Sequence, residues 1–163
     1  MRTIKRRRKE HKTDYHKRIK LLKSSLPRIV FRKTNRYVLG QYVISKEAQD
    51  KIVFEVNSKK LKEFGWPKEF ENSLKSIPAS YLTGFLTGKL ILKDKLEKPI
   101  LDTGMTRMIP GNSAYAFILG LIDAGIKLSE KKIPRNEDRI KGKSLKKDFS
   151  KEFESIKLKI EKL

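Results

Sequence analysis

The sequence predicts an α/β fold: a small mixed, mainly antiparallel sheet with helices packed on one side, plus a basic N-terminal arm and a C-terminal helical extension. Short alternating apolar segments before residue 57 indicate strands. Longer apolar segments with helical spacing follow them, and positive charge is concentrated at both ends of the chain. Because sheet and helix each bury one face, a layer of helices on one sheet is the simplest packing.

The chain of 163 residues suits one domain with extensions. We divide it into a basic arm over 1–12, an α/β domain over 13–126 and a basic extension over 127–163. The arm has no apolar periodicity, so we expect it to be disordered until it binds a partner.

The first helix is predicted to begin at a cap, Thr13 or Asp14, and to end at Pro27. Its apolar positions recur at helical spacing: Tyr15, Ile19, Leu22 and Leu26. Basic residues cover the rest of its surface.

Strands are predicted over 27–33, 36–44 and 51–56, which together form an antiparallel meander. In the first strand, Ile29 and Phe31 alternate with Arg28 and Arg32. We therefore expect one buried face and one face, also carrying Gln41, that is free to meet a partner.

A short helix over 58–64, a longer helix starting at Pro78, a fourth strand over 98–102 and a helix over 114–124 complete the predicted domain. An amphipathic helix ends the chain, with apolar positions at Leu145, Phe149, Phe153, Ile156, Ile160 and Leu163. It could dock on its own domain or on a neighbouring protein. Its acidic residues argue against a membrane surface.

Charge is distributed unevenly along the chain, whose net charge is +21. Residues 1–36 carry fifteen Lys or Arg against two acids, a net +13; residues 127–163 carry +6 and the middle only +2. An N-terminal segment with this much positive charge must stay hydrated or bind a polyanion, and nucleic acid is the polyanion that fits best. A solvated tail or sorting address is the alternative, but it would not need basic residues within folded elements.

The candidate contacts continue from the arm through the first helix and onto the first strand, as one positive track. Those expected to bind RNA phosphates are Arg6, Arg7, Arg8, Lys12, Arg18, Arg28, Arg32, Lys33 and Arg36. Tyr15 and Asn35 are candidates for base or sugar contacts.

Enzymatic alternatives have weaker support. Glu55, Asp102 and Asp123 could hold Mg²⁺ for a nuclease, but their spacing follows no motif. The stretch 84–89 resembles a phosphate loop but has one residue too few between its glycines and lies inside a predicted helix, so close helix packing through small residues is the simpler interpretation. The chain has no Cys, and its two His lie in the basic N-terminal segment. We expect no catalytic residue, no bound metal or cofactor, no small-molecule substrate and no membrane association. We expect the protein to be cytoplasmic.

Several stretches, read in order, resemble one protein family. Near the N-terminus they are 6–10, 12–15, 17–22 and 27–35, and farther on 65–66, 79–84, 101–104, 123–125 and 137–142. Together they are similar to the 5S rRNA-binding large-ribosomal-subunit protein eighteen family, of archaeal type. The resemblance covers roughly residues 5–145.

The resemblance implies a structural ribosomal protein of the large subunit that binds 5S rRNA in the central protuberance. It would link 5S rRNA to the large rRNA beside the neighbouring 5S-binding ribosomal protein, without catalysis. After Gly104 the chain departs from the family's basic loop, and only Arg107 keeps a charge there, so Arg107 is the loop's one candidate RNA contact. A general DNA-compacting protein remains the alternative binding function.

Overall fold

A computed structural model describes residues 3–47, 49–128, 134–145 and 148–163. Positions 1 and 2 of the predicted arm, and 129–133 and 146–147 of the predicted extension, lie outside the described residues. The elements are α1 (Arg6–Lys9), α2 (Tyr15–Lys23), β1 (Arg28–Lys33), β2 (Val38–Lys46), β3 (Gln49–Asn57), two 3-10 helices (Ser58–Lys62 and Lys68–Ser73), α3 (Ile77–Lys93), β4 (Ile100–Asp102), α4 (Ser113–Asp123), α5 (Glu137–Lys141) and α6 (Ser150–Glu161).

The four strands form one mixed sheet in the order β3-β2-β1-β4. β1, β2 and β3 pair antiparallel, which confirms the predicted meander. β4 pairs parallel with β1, with Ile29 opposite Leu101. A parallel neighbour requires a long crossover, and α3 lies within it.

α3 and α4 pack against each other and cover one face of the sheet. Ile29, Phe31 and Tyr42 are buried beneath them, and the rings of Phe31 and Phe117 lie 5.1 Å apart. This arrangement confirms the predicted α/β fold class, a mixed, mainly antiparallel sheet with helices packed around it.

The predicted caps also form. The Asp14 carboxylate accepts the backbone N–H groups of His16 and Lys17, and the Asn112 side chain accepts that of Tyr115. α2 ends at Lys23, earlier than the predicted limit at Pro27, because Ser25 adopts a left-handed conformation with φ of 54°. The second 3-10 helix and α5 were not predicted.

Small residues bring α3 and α4 into close contact. A Cβ on Gly84 would lie 2.1 Å from the backbone oxygen of Phe117, and one on Gly120 would lie 2.2 Å from that of Tyr81. Gly84 and Gly88 thus lie inside a buried helix, where no loop encloses a phosphate. The structure supports the packing interpretation of this stretch.

α6 docks on its own chain, which decides the alternative left open by its sequence. Phe153, Ile156 and Ile160 are buried, and the Phe153 ring lies 5.4 Å from that of Tyr81. Just before the helix, Phe149 packs 4.6 Å from Trp66. The end of the chain is therefore part of the core.

The arm has one turn of helix, α1, where the sequence predicts no regular structure before binding. Arg6 and Glu10 form an ion pair across this turn at 3.5 Å, a spacing that supports a helix. All four α1 residues are exposed. None of the described helices is long and apolar enough to cross a membrane.

Candidate nucleic-acid interface

A cleft of about 340 Å³ lies between the arm, α2 and the adjacent ends of β1 and β4. We call it the basic cleft. Its lining residues are Arg7, Lys12, Thr13, Asp14, Tyr15, Lys17, Arg18, Leu21, Arg32, Asp102 and Gly104. Five predicted RNA contacts thus meet around one cavity, four from residues 7–18 and Arg32 from β1.

The arm folds back onto the start of α2. The Arg7 guanidinium donates from Nε to Thr13 Oγ1 over 2.9 Å, and Lys5 Nζ lies 4.8 Å from the centre of the Tyr15 ring. The Lys17 backbone N–H at the helix cap lowers the pKa of Asp14, so this carboxylate is ionised at neutral pH. These contacts place the arm's cations beside the helix.

α2 lies on the sheet through polar contacts. Lys17 Nζ donates to Thr103 Oγ1 over 3.1 Å and to the Gly104 carbonyl over 3.2 Å. Arg18 Nη2 donates to Asp50 Oδ2 over 2.9 Å. No α2 residue is fully buried, and these hydrogen bonds link the helix to β3 and to the loop after β4. Lys17 and Asp50 do not stand out in the sequence, since only the fold brings them to their partners.

Arg28 requires a correction. We expected it on an open face in contact with RNA, but only 1% of the residue is exposed. Its Nη1 donates to Asp102 Oδ2 over 3.1 Å and its Nη2 to Asp50 Oδ1 over 2.7 Å. A buried arginine paired with two carboxylates cannot reach a phosphate without breaking both pairs. Arg28 is therefore an internal ion-pair residue, and its face of the sheet is not free there.

The carboxylates of Asp50 and Asp102 form ion pairs with the arginines of this face. Asp50 binds Arg18 and Arg28 and also accepts from Ser45 Oγ over 2.7 Å. Burial alone would raise the pKa of Asp50, but the hydrogen bonds from Ser45 and Arg18 and the neighbouring positive charges hold that pKa below its ordinary value. Asp50 therefore stays ionised at any pH near neutrality.

Arg32 lines the basic cleft from the strand side. Its Nη1 donates to the carbonyls of Phe31, over 2.7 Å, and Asp102, over 3.1 Å. Its Nη2 lies 3.5 Å from Asp102 Oδ1. The Arg32 side chain is still 43% exposed, so the guanidinium is both anchored and accessible to an anion.

The remaining predicted contacts do not share the basic cleft. Asn35 and Arg36 line a second cavity of about 340 Å³ with Lys75. Lys33 Nζ points away from Arg32 and donates to Ser113 Oγ over 2.8 Å, and burial together with the charge of Lys75 lowers its pKa. Arg6, Arg8 and Arg107 are exposed outside both cavities. Of the predicted contacts, five therefore line the basic cleft, two line the second cavity, and the others lie outside both.

The three carboxylates considered for a nuclease lie apart. Glu55 accepts from Gln41, Asp102 pairs with two arginines, and Asp123 binds the Tyr81 hydroxyl and Arg135. Across the part of the chain that the structure describes, no group of three His, Asp or Glu could hold a metal ion. Each of these carboxylates instead has a polar or cationic partner.

Comparison with known proteins adds independent information. The sequence model of a family described as ribosomal large subunit proteins 60S L5, and 50S L18, matches residues 1–99. This match covers more than half of the chain. The chain belongs to this family. The resemblance seen in the sequence motifs is thereby confirmed.

Individual relatives extend the match toward the C-terminus. Large ribosomal subunit protein uL18 of Korarchaeum cryptofilum is 41% identical over 141 residues, which cover 86% of this chain and 70% of the relative. The protein of the same name from Natronomonas pharaonis is 41% identical over 133 residues, covering 82% and 67% respectively. That of Caldivirga maquilingensis is 38% identical over 142 residues, covering 86% and 67%.

Proposed function

We propose that this chain is a structural protein of the large ribosomal subunit in the cytoplasm, that it binds 5S rRNA and that it links this RNA to the large rRNA. The observation that carries the proposal is family membership, since the relatives bear the name of a large-subunit protein. The proposed location is the central protuberance, beside a second 5S-binding protein. No catalytic step is proposed.

The basic cleft supports the RNA-binding part of the proposal. It combines four cations from separate elements, Arg7, Lys12, Arg18 and Arg32, with a partly exposed tyrosine ring. Cations neutralise phosphates and release counterions, while aromatic rings stack on unpaired bases. The clustering of both groups in one cavity suits a folded RNA with unpaired nucleotides better than a uniform duplex.

A competition experiment tests this function. Labelled 5S rRNA is bound to the purified chain at physiological salt and challenged with unlabelled 5S rRNA, an unrelated structured RNA of similar length, and duplex DNA. We expect only 5S rRNA to displace the label efficiently. Equal displacement by duplex DNA would instead indicate general DNA compaction, and equal displacement by both RNAs would contradict recognition of 5S rRNA.

A second measurement addresses ribosomal assembly. Native lysate is sedimented at moderate salt, and the chain is detected in each fraction. We expect it to travel with the large subunit and with 5S rRNA. Its absence from ribosomal fractions would contradict the structural role.

A further inference from the structure

Asp50 is an acidic residue placed against the basic cleft. It lies at the start of β3, yet its two oxygens contact β1, β2 and α2. One oxygen accepts from buried Arg28 and from Ser45; the other accepts from Arg18, which lines the cleft. A carboxylate at this place would ordinarily repel an incoming polyanion, so its presence needs a physical reason.

The geometry supplies that reason. Arg28 is almost inaccessible and is also held by Asp102, so the sheet fixes the position of the Asp50 carboxylate. The Arg18 side chain is 34% exposed and would be free to rotate without this partner. A planar guanidinium held by a carboxylate loses its rotational freedom before a phosphate arrives, which lowers the entropic cost of binding.

Asp50 also anchors the element that carries the arm. α2 has no fully buried residue, and its described side-chain hydrogen bonds to the sheet and the β4 loop come from Lys17 and Arg18. Arg18 reaches the β3 side, whereas Lys17 reaches the loop after β4. Loss of the Asp50 contact would leave the described side-chain hydrogen bonds of α2 to the rest of the domain at one place only, the loop after β4.

We propose that Asp50 is a positioning residue for RNA binding: it raises affinity by orienting Arg18 and α2 beside the basic cleft, although its own charge opposes the RNA. This inference rests on the proposed function. It predicts a change in RNA affinity on neutralising Asp50 that is opposite in sign to the change expected from charge alone. Removal of an acid should strengthen polyanion binding by charge alone, but removal of this one should weaken it.

The test compares Asp50→Asn with Glu55→Gln, which removes the same charge from an exposed site on the same strand. Dissociation constants for 5S rRNA are measured over a range of KCl concentrations, at a temperature where thermal melting shows both variants folded. We expect Glu55→Gln to bind as tightly as the wild type or tighter, and Asp50→Asn to bind about tenfold more weakly, the factor typical of one charge-assisted hydrogen bond. The slope of log Kd against log salt should also become shallower for Asp50→Asn, which a loss of stability alone would not cause.

A double-mutant cycle with Arg18→Ala separates positioning from other effects. If Asp50 acts through Arg18, the double variant should bind about as weakly as Arg18→Ala alone. Additive losses would overturn the proposal, as would Asp50→Asn binding no more weakly than Glu55→Gln.

A charge-conserving variant covers the case in which Asp50→Asn does not fold. Arg18→Lys keeps the charge and leaves Arg28 paired, but it removes the planar guanidinium whose Nη2 donates to Asp50. We expect weaker binding than for Arg8→Lys, the matched change at an exposed arginine of α1; equal binding would reject the proposal. If the wild type bound 5S rRNA no better than unrelated RNA, the proposed function would fail, while comparison of the variants on either RNA would still test Asp50.

Discussion

At the scale of single residues, Arg28 shows how burial changes the role of a charge. Its place in an alternating strand beside other arginines suggests a surface contact, but the fold buries that position and supplies two carboxylates. Burial of an unpaired charge would be prohibitive, whereas pairing makes it tolerable. The same pairing brings β1, β3 and β4 together beneath the basic cleft.

We predict that Asp102→Asn destabilises the protein by about 3 kcal/mol, because buried Arg28 would lose one of its two counter-charges. Chemical denaturation monitored by circular dichroism would measure the change in the free energy of unfolding. The matched control is Asp94→Asn at the exposed end of α3, which should change stability little. A similar stability for both variants would show that the Arg28 pairing contributes little.

Asp102→Asn also tests the nuclease alternative, since loss of an RNA-cleaving activity would contradict a purely structural protein.

At the scale of elements, the pair α3 and α4 depends on glycine at the contact. The spacing of Gly84 and Gly88 resembles that of a phosphate loop, but both lie within one helix, as the sequence predicts, and face α4. A glycine in a helix costs conformational entropy. Here that cost is offset by a backbone approach that no side chain would permit.

The sign of the effect of Gly84→Ala tests this explanation. Helix propensity alone predicts that alanine stabilises a helix by roughly 0.5–1 kcal/mol. The packing predicts the reverse, a destabilisation of about 3 kcal/mol, because the new Cβ would lie 2.1 Å from a backbone oxygen of α4 that cannot rotate away. The midpoint of urea denaturation measures the outcome. A midpoint at or above that of the wild type would contradict the close approach of the helices.

At the scale of the whole molecule, the apolar core and the basic arm lie in different parts of the sequence. The apolar core extends from the sheet through α3 and α4 to α6, and it includes Phe149 and Phe153 near the C-terminus. The described residues of the arm, 3–12, are exposed and contribute no buried residue. Residues 1–12 hold seven Lys or Arg against one acid, so a net charge of +6 lies in a segment whose described part adds nothing to the core.

Deletion of residues 1–12 should weaken binding to 5S rRNA strongly while leaving the thermal transition nearly unchanged. If six to ten phosphates are contacted in total, affinity of the full chain should fall by about 10³–10⁵ between 50 and 200 mM salt, and the truncated chain should lose less. Filter binding and differential scanning calorimetry measure the two effects. Equal affinity with and without these residues would contradict a role for the arm, and a lower transition temperature would show that it supports the core.

The sequence by itself determined the features that depend on neighbouring residues. Helical and strand periodicity identified α2, the meander and α4, and short polar side chains identified the caps at Asp14 and Asn112. Uneven charge indicated a polyanionic partner, and ordered motifs indicated the family that the comparisons confirm. These signals are local, because backbone preference and side-chain spacing act over a few residues.

Only the tertiary structure decided which charges remain available to a partner. Arg28 and Arg32 occupy equivalent positions in the sequence pattern, yet one is buried between two carboxylates and the other is exposed at the basic cleft. Asp50 acquires its role only when the β2–β3 hairpin brings it beneath Arg18. The physical reason is that the energy of a charge depends on burial and on partners from distant parts of the chain, and neither is encoded in its immediate neighbours.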